Sequence, residues 1–526
     1  MIKNVSLLLI FPPGWNMNVG SPHLAIPLLK AVAKNAGANV FIRDLNWEIS
    51  EYFKIKPPLK ELYIATTERG NLCSLNKPYF NAEDKLMNIA SKYGATWSVQ
   101  LGFQYKKYSP DSSIEVMEAA TLSSPFKEYY ENYVLPYVEE INPDIIGFSI
   151  ASPGQLIPAF QLCYLLKNAG YKGLIIMGGN IISRIRDAID NPNLYKFVDI
   201  FVFYQGEIPF TNIINKLKNG DRDFSNIPNL AFFNGKKVII TPVLEKFNLN
   251  ELPAPDFDGF PIGNYWGMNY VTLVAARGCY HGKCYFCAIP LGWNSKGFAG
   301  MRNPELIFED MIQIYKKYGI TRFKFVDESL MPKMMVFIAK KIKDNNLPFE
   351  WEGYARLERI WLDEEFVSII AKGGFKKAYF GLEVYPIGNR NALNKHDLPN
   401  PEKLLELCNK YGIKVHFFCM FGFPGTGKLE AEVTIDFILR YANLIDTIDI
   451  YRFGYMRHTN VSGIKPIIDY EKDWAMEYEW IPIEKNILTK EEIEKIKIEL
   501  EEIIWSEYPK LLHPTYRLLT PWSLNS

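Results

Sequence analysis

Three cysteines lie close together in the sequence and are the strongest candidates for chemistry. They are Cys279, Cys284 and Cys287, in the stretch Arg277-Gly-Cys-Tyr-His-Gly-Lys-Cys-Tyr-Phe-Cys287. Soft thiolates on one loop are typical ligands of iron–sulfur clusters, and three of them can hold three corners of a [4Fe-4S] cubane. Because only three ligands are local, the fourth iron would stay open. A catalytic cluster needs such an open site, and an electron-transfer cluster with four ligands lacks it.

Two other interpretations of these cysteines stay open at this point. A structural zinc site needs four ligands, and His281 would supply the fourth. Against zinc, His281 lies inside the same tight loop, whereas structural zinc sites usually combine ligands from separated segments. The three residues could also be unliganded, because Cys packs as a small hydrophobic side chain. Packing is the role predicted for the other four cysteines, Cys73, Cys163, Cys408 and Cys419.

The composition excludes several classes of protein. The 526 residues include 59 Lys plus Arg and 59 Asp plus Glu, so the formal net charge is zero. A general nucleic-acid binder needs a basic excess, so no nucleic-acid partner is expected. Seven cysteines in so long a chain do not form a secreted disulfide scaffold. No segment reaches the ~18 to 20 apolar residues of a membrane span, so we expect no membrane contact and a cytoplasmic location.

The elements that position these residues begin with an α/β series over residues 1–225. Short apolar runs predict strands at 5–11, 40–44, 144–150, 173–179 and 199–203, and helical periodicity predicts helices at 22–36 and 155–169. The series is interrupted by an insertion at about 47–125. Strands that alternate with helices predict a Rossmann-like parallel sheet, which binds ligands beyond the carboxyl ends of its strands.

Glycines, prolines and polar residues stand at those strand ends. They are Pro12, Pro13, Ser149, Gln155, Gly178, Gly179, Asn180, Gly206 and Glu207. Glycines there would let a large flat ligand approach the backbone closely. Tight turns that bind nothing are the alternative interpretation.

A second α/β series follows a proline-rich stretch at 226–265, which is predicted to be a linker. Over 266–460 the candidate strands are 270–276, 321–327, 348–355, 377–383, 413–421 and 446–454, separated by helical patterns such as 304–318 and 401–411. Six such units predict a (β/α)6 partial barrel, whose chemistry lies in the loops at the strand carboxyl ends. Residues 461–526 are predicted to form a small helical cap.

From the cysteine loop onward the chain resembles the radical S-adenosylmethionine (radical SAM) enzymes, and its upstream α/β domain is similar to that of their cobalamin-binding subgroup. The Arg-Gly-Cys start and the following barrel match this family. The spacing here is C-x4-C-x2-C, whereas the family usually has C-x3-C-x2-C. The resemblance covers roughly residues 5–460.

The resemblance also implies cofactor contacts at named positions. Phe286 matches the position whose backbone meets the adenine of S-adenosylmethionine. Asp327 and Glu328 resemble the second-strand end, Glu383 the fourth-strand carboxylate near the cofactor, and Gly422 the turn after the fifth strand. The strand-end residues from Pro12 to Glu207 named above match the cobalamin-domain pattern. The loop 151–155 contains no His, so no histidine from it would coordinate cobalt.

The function that the resemblance implies is a cobalamin-dependent radical SAM enzyme. A [4Fe-4S] cluster would reductively cleave S-adenosylmethionine, and methylcobalamin would methylate an unactivated carbon of an organic or peptide substrate. An electron donor such as ferredoxin or flavodoxin would be its partner. Two alternatives remain: cyclisation, rearrangement or oxidation without methyl transfer, and a non-enzymatic metal- or corrin-binding protein.

Overall fold

The protein forms two compact units. The computed structural model describes residues 4–14, 21–54, 77–98, 102–244, 247–265, 270–293, 298–385, 395, 400–483, 488–508 and 511. The first unit comprises Met1–Gly267, Gly292–Ser295 and Asp469–Met476, and the second comprises Met268–Leu291, Lys296–Ile468 and Glu477–Ser526. Within these described ranges, no helix is both long and apolar enough to cross a membrane.

The first unit is built on a seven-stranded sheet. The strands of this unit among the described residues are β1 (Ser6–Phe11), β2 (Asn39–Asp44), β3 (Ala95–Ser98), β4 (Gly102–Tyr105), β5 (Ile145–Ser149), β6 (Leu174–Gly178), β7 (Ile200–Val202), β8 (Leu230–Phe233) and β9 (Val238–Ile240). The order in the large sheet is β2-β1-β5-β6-β7-β8-β9. The first five strands in this order, β2 to β7, run parallel to one another. Every residue of β5 is buried, as expected of a strand covered on both faces. The predicted parallel α/β sheet is confirmed.

Within the described part of the unit, nine α-helices accompany this sheet. They are α1 (Ala25–Asn35), α2 (Leu45–Tyr52), α3 (Lys77–Ser91), α4 (Ser113–Ala119), α5 (Pro125–Tyr129), α6 (Leu135–Ile141), α7 (Leu156–Asn168), α8 (Asn180–Arg184) and α9 (Glu207–Lys218). Part of the predicted insertion folds as the β3–β4 hairpin, where Trp97 packs edge-on against Phe103 and Phe126 with ring centroids 5.9 and 5.2 Å away. These aromatic rings join the core of the first unit.

The prediction that residues 226–265 are a linker is wrong for part of that stretch. Strands β8 and β9 extend the sheet, because β8 pairs antiparallel with β7 and β9 pairs antiparallel with β8. Leu230 and Ala231 are fully buried. The prolines that suggested a linker flank the hairpin, and the short apolar runs between them are long enough to pair.

The second unit contains six parallel strands in chain order, β10-β13-β14-β15-β16-β17. Its strands are β10 (Val271–Leu273), β11 (Ala276–Gly278), β12 (Phe298–Met301), β13 (Arg322–Phe325), β14 (Glu350–Ala355), β15 (Phe375–Glu383), β16 (Lys414–Phe421), β17 (Thr447–Arg452), β18 (Tyr455–Met456), β19 (Ile464–Ile467) and β20 (Glu477–Pro482). Its helices are α10 (Pro304–Tyr318), α11 (Pro332–Asp344), α12 (Glu364–Lys372), α13 (Pro401–Lys410), α14 (Lys428–Arg440) and α15 (Lys490–Glu507). The six strands agree with the six predicted βα units.

The prediction that residues 461–526 form a helical cap is wrong in two respects. Strands β18, β20 and β19 form a three-stranded antiparallel sheet in the second unit, beside α15. Residues 469–476 belong to the first unit, where the Trp474 indole donates to the Ala188 carbonyl at 2.8 Å. The strongly periodic helix near 489–505 dominates the pattern of this region, so the alternating residues of β20 were not predicted to form a strand.

Candidate active site

The cysteine loop connects two short antiparallel strands at the end of β10. Strand β11 ends at Gly278, immediately before Cys279, and β12 pairs back onto it. The four residues between Cys279 and Cys284 include Gly282, whose φ of +59° is left-handed. A Cβ at Gly282 would lie 3.1 Å from the Cys279 carbonyl oxygen, so a glycine turn accommodates the extra residue. The Cys287 amide donates to the Cys284 carbonyl at 3.2 Å, which turns the chain between the last two thiols.

All three loop cysteines are partly exposed, whereas Cys163, Cys408 and Cys419 are buried. Burial raises the pKa of the Cys287 thiol to about 12, and the backbone amide of Ile289 acts in the opposite direction. Burial also raises the pKa of Cys284, which the positive charges of Lys395 and Arg356 oppose. Ligation of a soft metal by these thiols therefore releases protons.

The chemistry of this donor set fits an iron–sulfur cluster. Three thiols project from one loop beside two cationic side chains, so the charge of bound thiolates and sulfides would be balanced locally. Among the described residues, no three His, Cys, Asp or Glu side chains converge as ligands of one metal ion. A cubane does not require such convergence, because each thiolate binds its own iron.

Glu383 and Lys395 form a buried ion pair at the carboxyl end of β15. The Lys395 ammonium lies 2.5 Å from Glu383 Oε1, with both side chains 10% exposed, and it also donates to the Gly381 carbonyl at 3.0 Å. A Cβ at Gly381 would lie 2.3 Å from Lys395 Nζ, so only glycine leaves room for the pair. Glu383 has a φ of +58°, a conformation that costs about 1–2 kcal/mol for a non-glycine residue. Such strain is typical of functional sites.

Asp327 supports the approach to the cysteine loop. Its fully buried carboxyl accepts hydrogen bonds from the backbone amides of Ala275, just before β11, and Ala276, the first residue of β11. Burial raises the pKa of Asp327 to about 8. Because its oxygens bind the backbone, Asp327 acts as a positioning residue in this structure. Its neighbour Glu328 is half-buried at the same strand end.

A second polar group surrounds the residue after Cys279. The Tyr280 hydroxyl donates to Glu358 Oε1 at 2.9 Å, and Arg356 donates to the same oxygen at 2.9 Å. The Arg356 guanidinium lies 5.9 Å from the centroid of the Tyr280 ring. Thus the loop is tied to the end of β14 through a shared carboxylate.

The two remaining predicted site residues of this unit, Phe286 and Gly422, pack closely against other side chains. Phe286 is half-buried and packs against an apolar cluster that includes Val384, Met420 and Phe423. Gly422 has a φ of +79°, and a Cβ there would lie 2.2 Å from the Ile493 side chain. Close packing of α15 on this turn is therefore enough to require the glycine. Their contacts with a cofactor stay predictions.

In the first unit, the predicted strand-end residues lie together at the carboxyl ends of the parallel strands, along one edge of the sheet. Pro12 and Pro13 follow β1, Ser149 ends β5, Gly178 ends β6, and Glu207 begins α9. Gln155 is fully buried, and its amide nitrogen donates to the Pro12 carbonyl at 2.7 Å. Its oxygen accepts from the amides of Ala151 and Ser152 at 2.8 and 3.1 Å. The Gln155 side chain thus joins two loops, which accounts for it without a ligand.

The glycines of this edge allow close backbone packing. Gly179 has a φ of +107°, and a Cβ there would lie 2.4 Å from the Ile150 carbonyl oxygen. A Cβ at Gly14 would lie 2.2 Å from the Gly154 carbonyl oxygen. Asn180 is exposed at the start of α8, and Gly206 directly precedes α9. These residues lie where the sequence predicts a ligand, and their cobalamin contacts stay predictions.

Sequence reasoning missed Lys395, which is separated from Glu383 by 11 residues and follows no recognisable motif. It also missed Arg356 and Glu358 as partners of the loop. Arg356 ends the Trp351-Glu-Gly-Tyr-Ala-Arg356 stretch. A charged residue at the carboxyl end of a predicted parallel strand was the available signal.

Comparison with known proteins identifies sequence relatives of this chain and solved structures of similar fold. Residues 273–438 match the Radical SAM superfamily. An uncharacterized methyltransferase of Pyrococcus horikoshii is 24% identical over 306 residues, which are 57% of this chain and 65% of that protein. An uncharacterized protein of Methanocaldococcus jannaschii is 23% identical over 346 residues, 56% of this chain and 65% of that protein. The chain therefore spans about two thirds of the length of these relatives, 65% in each case.

Two solved structures share the fold of most of the chain. The radical S-adenosylmethionine methyltransferase TsrM from Kitasatospora setae, with cobalamin and a [4Fe-4S] cluster bound, has a TM-score of 0.63 at 13% identity and covers 97% of this chain and 93% of its own. The cobalamin-dependent S-adenosylmethionine radical enzyme OxsB, with aqua-cobalamin and S-adenosylmethionine bound, has a TM-score of 0.62 at 14% identity over 96% of this chain and 67% of its own. The predicted fold class is thereby confirmed.

Proposed function

We propose that this chain, which carries a radical SAM domain over residues 273–438, is a cobalamin-dependent radical SAM enzyme that methylates a carbon of its substrate. The observation that carries the proposal is the position of Cys279, Cys284 and Cys287 on one loop, after the first strand of a six-stranded parallel sheet. The methyltransferase name of the Pyrococcus horikoshii relative supports methyl transfer. The fold shared with TsrM and OxsB supports cobalamin.

The cofactors would supply the difficult chemistry, and the protein would orient them. When bound, a reduced [4Fe-4S] cluster supplies the electron that cleaves S-adenosylmethionine, and cobalamin supplies a carrier for the methyl group. Cys279, Cys284 and Cys287 would bind three irons through thiolates. Because the loop offers only three thiols, these residues would leave room at a bound cluster for the amino and carboxylate groups of S-adenosylmethionine.

The ion pair at the end of β15 fits the polar end of the same molecule. Glu383 offers a carboxylate for an amino group, and Lys395 offers an ammonium for a carboxylate. Both are held in place: Lys395 by the Gly381 carbonyl, and Glu383 by Lys395. Asp327 fixes the backbone that leads into the cysteine loop. Phe286, Glu328 and Gly422 would complete the contacts with S-adenosylmethionine.

The strand-end residues of the first unit would receive cobalamin. The residues at or just beyond the carboxyl ends of its parallel strands lie where parallel α/β sheets bind ligands; they are Pro12, Pro13, Ser149, Gly178, Gly179, Asn180, Gly206 and Glu207. Gln155 would contribute indirectly, because it joins two of these loops. The substrate would be an organic molecule or a peptide, and an electron donor such as ferredoxin or flavodoxin would reduce the cluster.

Anaerobic reconstitution with iron, sulfide and hydroxocobalamin tests this function. We expect absorption bands of both an iron–sulfur cluster and a corrin. With a reductant and substrate, mass spectrometry should find a product heavier by one CH₂ unit, together with S-adenosylhomocysteine and 5′-deoxyadenosine. Absence of cluster absorbance would refute the radical SAM assignment. A product without the added CH₂ would indicate cyclisation, rearrangement or oxidation instead.

A further inference from the structure

A row of polar side chains crosses one face of the six-stranded sheet. Lys324 pairs with Glu352 at 3.0 Å, and the Tyr379 hydroxyl donates to Glu352 at 3.1 Å. The Tyr379 ring lies 5.3 Å from the His416 ring, and His416 Nε2 lies 3.8 Å from Asp449 Oδ2. We call the face defined by these five residues the polar face. Alternate residues such as Phe380, Phe417 and Ile448 are fully buried, so the two faces differ in character.

Asp449 lies at the open end of this row. Its carboxylate accepts a hydrogen bond from the Tyr451 hydroxyl at 3.0 Å, and its side chain is 16% exposed. Tyr451 is 51% exposed. The other carboxylate of the row, Glu352, has no exposed side-chain surface and is paired with Lys324. Asp449 therefore has solvent-exposed side-chain surface, which Glu352 lacks.

A group of stacked aromatic rings includes Phe418, the strand partner of Asp449, and Tyr451, its hydrogen-bond donor. Phe418 stacks with Tyr354 at 6.0 Å and 14°, and with Tyr451 at 6.4 Å and 29°. Aromatic faces attract cations, and a neighbouring carboxylate adds direct charge attraction. The same carboxylate repels anions. The combination of Asp449 with Tyr354, Phe418 and Tyr451 therefore favours a cationic ligand with apolar surface.

Strand register places this group next to the proposed reaction centre. Asp449 pairs with Phe418, and Phe418 pairs with Gly381. Gly381 is the residue whose carbonyl receives Lys395 and whose missing side chain leaves room for the Glu383–Lys395 pair. A ligand bound at Asp449 thus lies at the strand level where that pair is anchored.

We propose that Asp449 binds a protonated amine of the substrate, with Tyr354, Phe418 and Tyr451 as the aromatic surroundings of that amine. This inference rests on the proposed function, because it assigns a charge class to the substrate of the same domain. S-Adenosylmethionine is also a cation, so the experiment has to separate the two sources of positive charge.

Calorimetric titration of the reconstituted full-length protein with three small probes tests the site. The probes are 2-phenylethylamine, its neutral analogue 2-phenylethanol, and the anion 3-phenylpropionate. We expect the amine to bind at least about tenfold more tightly than either analogue, the ratio expected of one charge-assisted hydrogen bond. Asp449→Asn should abolish this preference. Asp436→Asn, the same substitution at an exposed position of α14, should keep it.

Three results of the titration would contradict the inference. Equal binding of amine and alcohol by the wild type, no amine binding by the folded wild type, or an unchanged preference in a folded Asp449→Asn variant would overturn the inference. Repetition with saturating S-adenosylmethionine should leave amine binding intact; competition would assign the cation site to S-adenosylmethionine and overturn it too. Failure of the wild type to take up a cluster would refute the proposed function alone, because the titration measures binding rather than turnover.

Discussion

The Lys395 ammonium lies 2.5 Å from the Glu383 carboxylate, and both side chains are almost completely buried. Removing one partner of a buried pair leaves an uncompensated charge, which costs about 3 kcal/mol or more. We expect Lys395→Met to weaken S-adenosylmethionine binding by at least about tenfold and to lower stability. Binding titrations and thermal unfolding measure the two effects.

The matched control for this prediction is the Lys410–Glu364 pair, which has the same 2.5 Å distance but side chains that are 58% and 52% exposed. Solvent screens such a pair, so Lys410→Met should change neither binding nor stability appreciably. Equal effects of the two substitutions would contradict a special role for Lys395.

Cys284→Ala should remove one thiolate of the loop and most of the bound iron. Because even residues that only support metal ligands contribute about 10- to 100-fold, we expect activity to fall by more than about 100-fold. Iron analysis and the visible spectrum after reconstitution measure the loss. Cys408→Ala, which alters a cysteine buried in α13, should bind iron normally; full iron content in both variants would refute the cluster assignment.

Asp327→Ala should destabilise the second unit, because two buried backbone amides lose their acceptor. Each unsatisfied amide costs about 1–3 kcal/mol, so we expect the two to cost about 2–6 kcal/mol, with poorer cluster uptake. Asp327→Asn keeps an acceptor oxygen and should retain most of both properties. Urea unfolding and iron content distinguish the variants, and an Asn variant as impaired as the Ala variant would argue against the positioning role.

Stability should also depend on pH through Asp327. Burial raises the pKa of Asp327 from 3.8 to about 8, so the folded chain holds more protons at this group than the unfolded chain between these values. The contribution of Asp327 to the free energy of unfolding is therefore fully present below about pH 4 and is lost as the pH rises through about 8. The difference in stability between wild type and Asp327→Asn should fall across that window. Urea unfolding at several pH values measures this difference in stability. A difference that stays constant with pH would contradict the predicted contribution of Asp327.

Gly179→Ala should destabilise the first unit strongly. Its Cβ would lie 2.4 Å from the Ile150 carbonyl oxygen in a backbone with a φ of +107°, so we expect a cost of about 3 kcal/mol or more. Gly220→Ala is the control, because Gly220 has a φ of +71° and nothing within 4 Å. It should cost only about 1–2 kcal/mol from the backbone conformation. Thermal unfolding of the two variants measures these costs. Comparable losses of stability in both would show that close packing at Gly179 contributes little to the cost of the substitution.

Local patterns in the sequence predict most of the regular elements. The strand predicted at 413–421 is β16 at Lys414–Phe421, and the helix predicted at 304–318 is α10 over the same residues. Both segments carry strong periodicity, which depends only on neighbouring residues. Strands β8 and β9 are shorter and lie among prolines, and their stability depends on pairing with β7. That pairing cannot be read from a local pattern.

The residues of the candidate site also differ in whether the local sequence can predict them. The three cysteines are recognisable because their ligands are close in sequence, whereas Lys395 reaches Glu383 only through folding. The polar face had a signal in the sequence: His416 stands between Val415 and Phe417, and Asp449 stands between Ile448 and Ile450, so each polar residue interrupts an apolar run. Strands of a parallel sheet are usually apolar throughout, so such an interruption indicates a face with a function.

The return of residues 469–476 to the first unit has a consequence for biosynthesis. Trp474 fills a place beside Phe160 in the core of that unit, and Asp473 binds the Ser113 amide. A ribosome makes Trp474 only after nearly all strands of the second unit. The N-terminal unit therefore cannot complete its fold while the chain is still short, and neither unit can be expressed intact as one uninterrupted fragment.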